Sequence, residues 1–160
     1  VSELAELKDF FVASVGAAAA LIGLLFVAIT LAPEKIFGAH ADARKHGLAT
    51  GAFIALGNIF FVSLAALVPR FSGEIIAVFA LVAMWQVARE TLGADSWLRG
   101  LRYFGLASLP IYALELTLAV RFALKLGTPH GLVYTIFGLY AYALGAAWTL
   151  LGADRGSSTV

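Results

Sequence analysis

Ser108, Tyr112 and Glu115 stand at i, i+4 and i+7 in the stretch SLPIYALE. On a helix those intervals bring a hydroxyl, a phenol and a carboxyl onto one face. The segment around them is otherwise apolar enough for a bilayer, where a charged group at a helix centre costs roughly 2.5–3.5 kcal/mol on the insertion scale. An acid in that setting is expected to face protein or water rather than lipid, and the chemistry it supports is binding a proton or coordinating a small cation. Pro110, between Ser108 and Tyr112, is read as part of the same stripe, where it removes a backbone donor, frees a carbonyl one turn earlier and favours a kink.

A second polar group, Asn58, lies near the middle of another apolar run, on the face of Gly51 and Ala55. It is the natural hydrogen-bond partner for Glu115. Two readings follow. In one, Glu115, Tyr112, Ser108 and Asn58 form an ion or proton site. In the other, Glu115 is a neutral carboxyl that ties helices together. Arg121, six residues beyond Glu115, falls on a different face and is expected to cap the helix end with Lys125. Tyr134, Tyr140 and Tyr142 either extend a polar path or pack as aromatics with a hydrogen bond.

Other chemistries have no residues to run on. The chain has no cysteine, so thiolate metal sites, disulfides and cysteine nucleophiles are excluded. There is no nucleophile beside a base, no phosphate-binding glycine loop and no paired carboxylates in a shared site. His40 and His46 are six residues apart, a spacing that does not align two imidazoles on a helix as metal ligands. An enzyme is not expected, and neither is a bound metal or cofactor. A formal net charge of +1 gives no reason to expect nucleic acid as a partner.

The elements that must hold these residues are set by composition. Of 160 residues 61% are hydrophobic and 13% charged, where a soluble domain has about 25% charged. The charges cluster, leaving five apolar runs near 9–31, 47–69, 74–90, 103–124 and 131–151. A run of about 18 or more is read as a membrane-spanning helix. The expectation is therefore all-α: one polytopic transmembrane helical bundle over 1–160, with about five spans. The third run is the shortest, and a re-entrant hairpin is its alternative. The start, VSELAELKDFF, is acidic where a secretory signal is basic, so the first run is expected to remain as a span.

With five spans, Lys8, Arg70, Arg121 and Lys125 share one side. Lys35, Arg44, Lys45, Arg89, Arg99, Arg102 and Arg155 share the other, seven against four. The positive-inside bias then puts the amino-terminus outside and the carboxyl-terminus in the cytoplasm. Trp97, Arg99, Arg102 and Tyr103 read as an interfacial anchor on the cytoplasmic side.

In lipid, helices associate through small residues that let backbones approach. Gly16 and Gly23 with Ala20, Gly47 and Gly51 with Ala55, and Gly138 and Gly145 with Ala141 form such stripes. Some are expected to join subunits, giving a homo-oligomer or a subunit of a larger membrane complex. FVASVGAAAALIGLLFVAITL, a short charged linker, and a second span closing on FFVSLAALVP together resemble a group of small bacterial integral membrane proteins. The resemblance covers about the first half of the chain. It implies a multi-pass protein of the bacterial inner membrane and carries over no activity and no functional residue. The functional expectation rests on Glu115: as an oligomer, the protein conducts or senses a proton or small cation. The alternative is a non-conducting scaffold or accessory subunit.

Overall fold

A computed structural model describes residues 3–31, 33, 43–68, 72–93 and 99–152. All regular structure among them is helical. After a single helical turn at Glu3–Glu6 come five long helices: α1 (Lys8–Leu31), α2 (Ala43–Ala66), α3 (Ser72–Gly93), α4 (Arg99–Ala123) and α5 (His130–Gly152). Each coincides with one of the five apolar runs. Three of them, α1, α2 from Lys45 onward and α5 to Leu150, are both long and apolar enough to cross a membrane.

Helix bounds differ from the apolar runs for local reasons. α2 stops at Ala66 rather than 69 because a residue before proline avoids the helical region, and Pro69 follows. Its last turn tightens, with Leu67 N–H donating to Leu64 O (3.1 Å) and Val68 N–H to Ala65 O (3.0 Å). α3 runs unbroken for 22 residues, about 33 Å at 1.5 Å per residue, and is not a re-entrant hairpin. α4 begins at Arg99, so the expected interfacial segment is continuous with the helix from that residue. The side chains of Arg99, Arg102 and Tyr103, and all of Trp97, lie outside the described set. His40 and the linker around it do too.

The end of α4 shows a well-defined stop. Lys125 adopts φ 58°, Leu126 N–H donates to Arg121 O (2.8 Å) and Lys125 N–H to Phe122 O (3.0 Å). That is the paired 6→1 and 5→2 pattern of a Schellman motif, formed here with a lysine where glycine is usual. Arg121 contributes a long side-chain bond of 3.5 Å to Leu126 O.

α2 is the hub, in contact with every other long helix, while α3 and α4 pack along each other and α1 touches chiefly α2. Over its most apolar stretch α2 is 56% buried against 11% for α1. Its inward residues, Leu48, Ala52, Ala55, Ile59, Val62 and Ala66, recur at helical intervals; from Ala55 onward they join a core with Ile76, Ala80, Leu132, Ile136 and Leu139, while Leu48 and Ala52 pack with Ala146 in a smaller cluster. Large apolar groups also point outward, among them Leu24, Phe26, Trp85 and Trp148. Such an apolar exterior suits lipid and would be a liability in water.

Two glycines are set by close approach. A β-carbon on Gly73 would lie 2.8 Å from Ala123 Cα, so α3 and α4 could not converge with any side chain there. A β-carbon on Gly51 would lie 2.6 Å from the Tyr142 hydroxyl. A β-carbon on Gly138 would be in ordinary contact with Ile111, and Gly47 is half-buried. Gly16, Gly23 and Gly145 face open space, so the α1 stripe and the Gly145 end of the α5 stripe take no part in packing within the chain.

Candidate functional site

The central pair joins α2 to α4. Asn58 Nδ2 donates to Glu115 Oε2 at 2.6 Å, with Glu115 0% and Asn58 5% exposed. Both helices present these groups for the same reason. Asn58 lies on the inward stripe of α2 between Ala55 and Ile59, and Glu115 lies on the inward stripe of α4 between Tyr112 and Ala119. Ser108 and Tyr112 are buried on that same face of α4, so the i, i+4, i+7 spacing converges in the folded chain.

Pro110 does not belong to this stripe. It is exposed, because two residues beyond Ser108 is about 200° around a helix of 3.6 residues per turn. It stands inside α4, where it leaves the backbone without one donor.

Ser108 and the Tyr142 hydroxyl are hydrogen-bonded, which draws α5 into the cluster. The absent side chain of Gly51 makes room for that hydroxyl. Three helices thus supply one polar cluster: Gly51 and Asn58 from α2, Ser108, Tyr112 and Glu115 from α4, and Tyr142 from α5. Within it, Asn58 Oδ1, Glu115 Oε1 and Tyr112 Oη have no hydrogen-bond partner. Buried polar atoms are nearly always paired, so three unpaired oxygens in one cluster call for a chemical reason.

The arrangement can do one thing well. An ionised Glu115 accepts from the Asn58 N–H₂, as drawn. A protonated Glu115 becomes a donor, and a half-turn of the amide presents Asn58 Oδ1 to accept from it. The pair is therefore satisfied in either protonation state by rotating one side-chain bond. A divalent metal is poorly matched, because the cluster holds a single carboxylate, and no group of three or more His, Cys, Asp or Glu occurs among the described residues.

A second polar cluster lies between α1, α2 and α5, and sequence reasoning did not single it out. Tyr140 Oη donates to Ser14 O (2.8 Å) and lies 3.3 Å from Ser14 Oγ, and Ser63 Oγ donates to Ser14 Oγ (3.1 Å). Ser14 and Ser63 are buried. Serine is common among the small residues of packed membrane helices, so neither stands out in the apolar runs that contain them. Of the three tyrosines in α5, Tyr140 and Tyr142 each join a cluster, whereas Tyr134 faces outward.

Comparison with protein-family models, with curated proteins and with solved structures gives no significant match to any of them.

Proposed function

We propose that this is a multi-pass protein of the bacterial inner membrane in which the Asn58–Glu115 pair binds and releases a proton, so that the chain senses protons or relays them within an oligomer. The observation that carries the reading is the 2.6 Å amide–carboxyl bond between two helices, with the free oxygens of both partners left unpaired. A change of protonation reverses the direction of that bond and so acts on the contact between α2 and α4. The complete burial of Glu115 weighs against free passage of ions past it in one chain and favours sensing over conduction. Five spans with the amino-terminus outside belong to the same proposal. α3 and α4, at 22 and 25 residues, are long enough for a hydrocarbon core of about 30 Å.

The second reading is a non-conducting scaffold or accessory subunit, and a specific observation favours it: Glu115 lies in a closed seam against another helix, where a carboxyl serves as a specific tie. Infrared difference spectroscopy on the reconstituted protein separates the two. For a proton site, the carboxylic C=O band of a buried acid rises and falls with the pH of the bath, and Glu115→Gln abolishes that response. A band that ignores pH while the lipid stays intact supports the tie. Proteoliposome flux then tests relay, since Glu115→Gln removes any pH-driven flux that depends on this pair.

A further inference from the structure

A groove of about 410 Å³ runs between α2 and α3, outside the cluster formed with α4 and α5. Phe61 and Phe79 stack across one end at 4.8 Å between centroids. Because α2 and α3 are antiparallel, that pairing places Asn58 level with Val82 and leaves Gln86 and Arg89 towards the other end. The walls between are apolar, built from Phe53, Phe61, Phe79 and Val82. Gly57 faces open space within it. Asn58 lines the groove from its inner side. This is the residue whose Nδ2 is committed to Glu115 and whose Oδ1 has no partner.

We propose that the groove is a binding site for one acyl chain of an anionic phospholipid, with the headgroup phosphate held at Arg89 and Gln86. The argument is one of complementary chemistry. The lining has one ionised residue, Arg89, and among the described residues that form it none is acidic. Arginine at the edge of a spanning segment meets lipid phosphate at headgroup depth. From Arg89 to the level of Asn58 is seven residues, about 10 Å along the helix. A chain held by its phosphate at Arg89 therefore runs past Gly57 and over Asn58 to the phenylalanine stack. Water is the poorer occupant, because a bound water needs two to four polar partners and the deep part of the groove offers only Asn58.

The site requires α2 and α3 to lie in the bilayer, but it holds whether or not Glu115 exchanges a proton. In that position the acyl chain is the cover that separates Asn58, and through it Glu115, from the bilayer side.

Native mass spectrometry of the full chain, released from nanodiscs of equal phosphatidylglycerol and phosphatidylcholine, tests the proposal. The native chain is expected to retain one phosphatidylglycerol in preference to phosphatidylcholine. Arg89→Gln lowers that preference several-fold while leaving a lipid bound. Gly57→Leu fills the groove without meeting a neighbour at the β-carbon and removes the retained lipid of either class. Val82→Trp is a second plug, from α3, should the first variant fold poorly by circular dichroism. Retention unchanged by both plugs, or no headgroup preference in the native chain, overturns the proposal. Recovery of the native chain from cells without detergent would overturn the membrane placement instead.

Discussion

Two polar clusters sit in the same bundle at similar burial, and they are satisfied to different degrees. Between α1, α2 and α5, Ser14, Ser63 and Tyr140 spend their hydroxyls on one another and on a backbone carbonyl. Between α2 and α4, Asn58, Glu115 and Tyr112 make one short bond and leave three oxygens unpaired. A satisfied network rigidifies a packing arrangement, whereas a partly satisfied one is costly at low dielectric unless it has a second task. The first cluster is accounted for as a tie between helices. The second contains a titratable group and has hydrogen-bonding capacity in reserve, which is what a change of protonation uses.

The contrast can be broken by mutation, and the largest effect is expected at Asn58. Asn58→Leu leaves a buried carboxyl without its partner and should cost about 3 kcal/mol, as for a buried charged group stripped of its hydrogen bond. Unfolding in mixed micelles measures it, and the double variant Asn58→Leu with Glu115→Leu should recover most of the loss. If the single and double variants are equally unstable, the pair is not the tie between α2 and α4.

Gly51→Ala should come next, at about 2 kcal/mol, because overpacking forces side chains and backbone to shift. The added carbon meets the Tyr142 hydroxyl, so Tyr142→Phe in the same chain should restore stability in the same unfolding assay. Failure of that rescue would mean that α2 and α5 approach differently.

In the satisfied cluster, Tyr140→Phe removes the bonds to Ser14 and should cost about 1 kcal/mol, with no change in the infrared response to pH. A pH response altered by this variant would erase the distinction between the clusters. The smallest effect is expected at Tyr112→Phe. The hydroxyl it removes has no partner, so the midpoint of unfolding should stay within about 0.5 kcal/mol or rise. A loss of 1 kcal/mol or more would mean that this hydroxyl is bonded in the membrane, and would draw Tyr112 into the proton site.

Much of this molecule was legible as a string. Five apolar runs became five helices because the helix lets a long apolar stretch satisfy its own backbone hydrogen bonds locally. The face shared by Ser108, Tyr112 and Glu115 was legible for the same reason, since helical spacing alone sets it. Pro110 was misplaced where that spacing was applied loosely. The end of α4 was only partly legible, because a lysine rather than a glycine occupies the left-handed position.

What the amino-acid order determined by itself was therefore local: helix identity, helix faces, and the presence of one acid among apolar neighbours. Which groups meet was decided only by the tertiary structure. Glycine stripes on α1, α2 and α5 look alike in sequence, yet Gly51 seats a tyrosine hydroxyl while Gly16, Gly23 and Gly145 face outward. Asn58 with Glu115, Ser14 with Ser63 and Tyr140, and the groove walled by Phe53, Phe61 and Phe79 all depend on the order in which the helices surround α2. Small and apolar side chains encode that order weakly, because close packing in a bilayer recognises shape rather than any particular residue type.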